Sequence, residues 1–179
     1  MREISRNTFA AFLNRPLLLR LGALGALVCV YLAGSWVPLR VNLAEAAALV
    51  LDLLGLSAGV TLQGDSVYLA VGASRIAITR ACTYLDLALI LMVFTWRFGA
   101  PLGANIVRSA GVAGAVMVMN LARLVVAIAA HAGGVAWGPA HDLPDTGLYH
   151  AAIAAAVMLC ARRDWRMLEA QRAACAPHG

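Results

Sequence analysis

Long apolar runs separated by short polar or glycine-rich breaks set the plan of the chain. The first run, "LGALGALVCVYLAGSWVPL" from residue 21, follows Arg2, Arg6, Arg15 and Arg20 and carries Trp36 near its end. It is long enough to span a bilayer of ~20 residues per crossing, and the arginines ahead of it predict a cytoplasmic N-terminus. No clear small-x-small cleavage site precedes Pro38, so a retained first helix is expected rather than a signal peptide. In "VNLAEAAALVLDLLGLSA", residues 41–58, Glu45 and Asp52 are two helical turns apart on one face, which predicts an amphipathic helix lying along the outer surface. "VTLQGDSVYLAVGASRIAITR" then alternates short β-prone runs with Gly-Asp and Gly-Ala-Ser breaks and reads as a small hairpin.

A second span is expected from about Cys82 to Trp96, closed by the turn signal "RFGAP". Residues 104–132 make one apolar helical stretch of ~43 Å, longer than a ~30 Å hydrocarbon core, so it must tilt, break or project. "GGVAWGPAHDLPDTG" reads as a polar outer loop, and "LYHAAIAAAVMLCA" as a last span that "RRDWR" returns to the cytoplasm. The expected fold is therefore an all-α integral membrane protein with about four transmembrane helices, an outer amphipathic helix and a small β-hairpin. It forms a single domain: residues 1–20 cytoplasmic, 37–81 extracytoplasmic, 82–161 the core and 162–179 a cytoplasmic tail. The expected location is the cell (inner) membrane, crossed several times.

Composition agrees. The 179 residues are 62% hydrophobic and 13% charged, about half the charge of a soluble domain, and mean hydropathy is +0.80. All 14 basic residues are arginine and the net charge is +5. They lie mostly at the ends of apolar runs, where the positive-inside bias accounts for them, so nucleic acid is excluded as a partner and the bilayer is favoured. Cys29, Cys82, Cys160 and Cys175 form no CxxC pair and have no histidine-rich spacing, which indicates neither a metal site nor a disulfide framework. No cofactor is implied. Cys82 alone has polar neighbours.

Arg123 is the least comfortable residue, a charge within "VMVMNLARLVVAIAA" that costs at least ~2.5 kcal/mol to insert. If Arg108 marks the inner interface, Arg123 lies ~22 Å further along the axis, at the depth expected for Cys82 and Asp86. Asn120 is one turn before Arg123 and Asp86 one turn after Cys82, so the four can line one polar pocket between two helices. Two readings stand. Arg123 and Asp86 form an ion pair that only joins helices, or Arg123 stabilises an oxyanion or the Cys82 thiolate. Tyr84 is a hydrogen-bond donor or an interfacial anchor, with the anchor favoured because aromatic rings collect at interfaces. For a base, His178 is on the wrong side and His131 is ~12 Å above Arg123 along the axis. His141 and His150 both remain.

"ACTYLDLALIL", "NLARLVVAIAAH" and "AHDLPDTGLYHAAI" together resemble the exosortase/archaeosortase family of membrane-embedded cysteine transpeptidases. The resemblance covers about residues 60–160 and lies in the order and spacing of Cys82, Asn120, Arg123 and a following histidine, matched by His141 with His150 as the alternative. It implies that residues 82–161 are a catalytic core with Cys82 as nucleophile, Arg123 as oxyanion stabiliser and the histidine as base, supported by Asn120, Asp86 and Tyr84. It further implies a protease/transpeptidase that cleaves the C-terminal sorting signal of anchored substrate proteins at the outer face, through a thioester, and transfers them to a surface lipid or glycan. The signal would be a short motif, an apolar helix and a basic tail. Thr83 and Tyr84 depart from the small residues that often follow the family's cysteine, and the chain is short for the family, like a minimal core. A non-enzymatic membrane scaffold and a purely hydrolytic intramembrane protease are the alternatives.

Overall fold

The computed structural model describes residues 6–98 and 100–174. The expected cytoplasmic ends therefore fall partly outside the described residues, among them Cys175 and His178. The chain runs α1 (Arg6–Ala33), α2 (Val37–Leu53), β1 (Ala58–Gln63), β2 (Ser66–Val71), β3 (Ser74–Ile78), a 3-10 turn (Ala81–Thr83), α3 (Leu85–Thr95), α4 (Leu102–Ala132) and α5 (Trp137–Ala174). It is mostly helical with one small sheet, as expected in outline.

The connection from α1 to α2 bends by 79°. Trp36 takes a left-handed conformation (φ 54°, ψ 28°), which is uncommon for a bulky residue. Its indole Nε1 donates to the Tyr31 carbonyl at 2.9 Å. A Cβ on Gly34 would sit 2.5 Å from that indole, so any larger residue there must push the ring aside. Beyond the bend, α2 buries Leu43, Ala44, Ala47, Ala48 and Leu51, a stripe at helical spacing, while Glu45 and Asp52 stay exposed. Asp52 then accepts the Ala58 amide at 2.8 Å and so holds the entry to β1.

The expected hairpin is a three-stranded antiparallel meander in the order β1-β2-β3. Both glycine breaks are turns, with Gly64 and Gly72 at positive φ, so two turns yield three strands. Val67, Leu69 and Val71 alternate inward from β2 and join Ile76 and Ile78 of β3 against the buried stripe of α2 and against Leu124, Val125 and Ile128 of α4.

Four spans are not what the described residues display. By length and composition α4 alone is long and apolar enough to cross a membrane, and a second candidate arises only if residues 18–33 of α1 and the bent-off α2 count as one. The expected span from Cys82 to Trp96 is an 11-residue helix. At ~1.5 Å per residue it is ~16 Å long, about half a hydrocarbon core. Tyr84, left-handed at φ 51°, stops α3 at its start, and Trp96 turns extended at its end. The stretch 133–147 is also not a loop. Its break is confined to Gly133–Ala136, and α5 begins at Trp137 and carries His141 and Asp145 on helix. Pro139 falls in the first turn, where its missing N–H is harmless, and Pro144 is accommodated inside the helix.

Candidate functional site

Three elements converge on Arg123. From α4, Asn120 lies one turn below it and is fully buried. Its Oδ1 accepts from Arg123 Nε and Nη2 at 3.3 and 3.1 Å, and its Nδ2 donates to the Cys82 carbonyl at 2.7 Å. One amide side chain thus ties the arginine to the backbone of the cysteine. From α5, Asp145 Oδ1 meets Arg123 Nη1 at 2.6 Å, and His141 Nε2 is 3.3 Å from the same nitrogen. His141 and Asp145 share a face because they are four residues apart on a helix. From the turn before α3, the buried Tyr84 ring lies under the guanidinium at 4.7 Å, and its hydroxyl donates to the Asp145 carbonyl at 3.1 Å.

A guanidinium carries five N–H groups. Asn120 takes one from Nε and one from Nη2, and Asp145 and His141 take the two on Nη1, which leaves a single Nη2 proton. The buried arginine is therefore held on three sides with one donor uncommitted. Because Arg123 can only donate, His141 Nε2 must present its lone pair. The ring proton then sits on Nδ1, which donates to Asp142 Oδ1 at 2.9 Å. Trp137 stacks on the imidazole at 4.7 Å and meets His131 edge-on, fixing the ring plane.

Cys82 is a free thiol in the 3-10 turn, 7% exposed and at the edge of the apolar core. Its Sγ is 3.4 Å from Thr79 Oγ1, and no contact joins it to His141 in this state. Catalytic hydrogen bonds are often made only once substrate is bound.

The structure thus gathers Cys82, Tyr84, Asn120, Arg123 and His141. It does not gather Asp86 or His150. The expected Arg123–Asp86 pair is replaced by Arg123–Asp145, and Asp86 Oδ2 accepts instead from the Tyr149 hydroxyl at 2.9 Å. The cause is α5, whose first turns reach the guanidinium from the other side. His150 is exposed and bonded to the Thr146 carbonyl of its own helix. Tyr84 is not an interfacial anchor, since it is 1% exposed and its hydroxyl is bonded. Asp142, Asp145, Thr79 and Trp137 were not expected at the site; the signal for Asp145 was its spacing of four from His141, hidden by reading "AHDLPD" as loop. No cluster of His, Cys, Asp or Glu among the described residues could hold a metal ion. Comparison with protein-family models, curated proteins and solved structures finds no match.

Proposed function

We propose that the chain is a membrane-embedded cysteine transpeptidase of the exosortase/archaeosortase kind, acting on the C-terminal sorting signals of membrane-anchored proteins at the outer face. The observation that carries the reading is the single network in which Asn120 holds both the Cys82 backbone and Arg123, while Arg123 keeps one N–H free and meets a histidine already oriented by a carboxylate. Nucleophile, oxyanion donor, base and orienting acid are the parts an acyl transfer needs. The membrane setting is supported by apolar side chains that nothing among the described residues covers. Leu18, Leu21, Val30 and Leu32 on α1 and Val107, Val118 and Val126 on α4 are each more than half exposed.

In the proposed reaction the Cys82 thiol loses its proton to His141 Nε2, and the thiolate adds to the peptide carbonyl carbon. Arg123 Nη1 must first withdraw from Nε2 onto Asp145, which it already touches. The developing oxyanion accepts the uncommitted Nη2–H. Collapse expels the amine, which takes the proton from His141, and leaves a thioester on Cys82. An acceptor amine or water then adds to the thioester, its proton passing to His141, and the sulfur expelled on collapse takes that proton back as the Cys82 thiol.

A scaffold role is favoured by one observation, the buried Arg123–Asp145 ion pair that joins α4 to α5. One experiment separates the two. Cys82→Ala, Arg123→Ala, His141→Ala and His150→Ala are expressed with a reporter bearing a C-terminal apolar helix followed by an arginine tail. The reporter's size and lipid attachment are then followed. Processing is expected to vanish in the first three and to persist in His150→Ala; processing that survives Cys82→Ala ends the enzyme reading.

A further inference from the structure

A second charged site lies beside the thiol. Leu32, Ala33, Gly34 and Ser35 at the α1–α2 bend face Arg40 of α2 and Thr79 and Arg80 of the strand exit, across an open cleft of about 470 Å³. Arg80 Nη1 donates to the carbonyls of Leu32 and Gly34 at 3.0 and 3.2 Å. Arg40 Nη2 donates to the Asp65 carbonyl at 2.7 Å and Nη1 lies 3.5 Å from the Ile78 carbonyl. All four partners are neutral. Neither guanidinium has a carboxylate partner among the described residues, and Arg40 Nε is buried with no hydrogen-bond partner at all. Two full positive charges therefore share one cleft with no carboxylate in ion-pair contact among the described residues, the exposed Asp65 meeting Arg40 only through its backbone carbonyl, which favours an anion there.

Resting on the transpeptidase reading, we propose that this cleft holds the phosphate of a phospholipid headgroup and presents the lipid to the Cys82 thioester as acceptor. Size favours a headgroup, because the cleft is far larger than a bare anion needs. Its wall does too, since Leu32 is 61% exposed at the end of α1, where an acyl chain would run down from a phosphate held above. Thr79 connects cleft and nucleophile: it lines the one and lies 3.4 Å from the sulfur of the other. An amine or hydroxyl carried on the headgroup would reach the thioester past Thr79 without crossing the buried network around Arg123.

The test is calorimetric titration of the full chain in dodecyl maltoside, and so needs no turnover at the thiol. The probes are dihexanoyl phosphatidylglycerol, dihexanoylglycerol lacking the phosphate, and inorganic phosphate. The short-chain phospholipid is expected to bind well above the other two, and Arg40→Gln or Arg80→Gln to weaken it about tenfold each, the scale of one charge-assisted hydrogen bond. Glutamine retains a donor for the backbone carbonyls. Thermal midpoints check that each variant folds, and an Arg40→Lys/Arg80→Lys chain is expected to recover most of the binding. Equal binding of dihexanoylglycerol, or unchanged binding by the glutamine variants, overturns the proposal. Inorganic phosphate binding as tightly as the lipid overturns the headgroup assignment, and equal loss with lysine and glutamine reduces the arginines to backbone caps. In cells the lipid-attached share of the processed reporter should fall in Arg40→Gln. If processing proves independent of Cys82 while lipid binding still depends on both arginines, the transpeptidase reading has failed and the cleft has not.

Discussion

Helix α4 works in two regions at once, and they are built on opposite principles. Towards α2 and the sheet it presents Leu124, Val125 and Ile128 to an apolar core. Towards α5 and the turn before α3 it presents Asn120 and Arg123 to a network of hydrogen bonds, an ion pair and a ring face. Apolar packing is graded, because a lost methylene removes a share of the contacts. A buried polar network is not, because a missing partner leaves the remaining groups desolvated and unpaired. Cys82 lies on the seam, with its side chain at the edge of the apolar core and its carbonyl held by the network.

The largest effect is expected on the polar side. Arg123→Ala strands Asn120 Oδ1 and the Asp145 carboxylate, and should cost about 3 kcal/mol in detergent unfolding. That is the lower end for a buried pair, because Asp145 keeps a 34% exposed side chain. Arg123→Leu should fare no better, which distinguishes lost pairing from lost volume. On the apolar side, Leu69 of β2 is fully buried. Leu69→Ala should cost less, about 2 kcal/mol in the same unfolding measurement, and Leu69→Met less than about 1 kcal/mol. If the conservative change is as harmful as the truncation, the apolar side is not graded and the contrast is lost.

Legibility divides along the same seam. Asn120 and Arg123 are visible in the sequence because a charge in an apolar helix, with an amide one turn away, stands out by period alone. The buried stripe of α2 and the β-prone runs before Cys82 are visible for the same reason. The partner of Arg123 is not. Asp86 and Asp145 are both available, and the choice depends on α5 starting at Trp137, through a Gly/Pro/Asp-rich stretch whose local preferences favour a loop. Tertiary contacts of His141, Asp145 and Trp137 accompany that helix and override its composition. Tyr84 is hidden in a similar way. Its left-handed backbone shortens α3 and turns the ring inward, and no local pattern announces a positive φ at a tyrosine.

Smaller effects are expected away from the seam. In Gly34→Ala the added Cβ displaces the Trp36 indole. The α1–α2 bend should lose about 1 kcal/mol, and tryptophan emission should shift. Tyr84→Phe removes one hydrogen bond to the Asp145 carbonyl while retaining the ring under Arg123, and should cost about 1 kcal/mol. His150 is an exposed side chain bonded only to its own helix. The unfolding free energy of His150→Ala should therefore stay within about 0.5 kcal/mol of the parent chain.

Whether Cys82 carries the acyl group decides the proposed function. Intact-mass and peptide mapping of the chain purified from cells expressing the anchored reporter test it most directly. The expected result is a reporter-derived peptide mass on Cys82 that neutral hydroxylamine removes, absent from Cys82→Ala. Processing of the reporter by a chain whose Cys82 never carries that mass would contradict it.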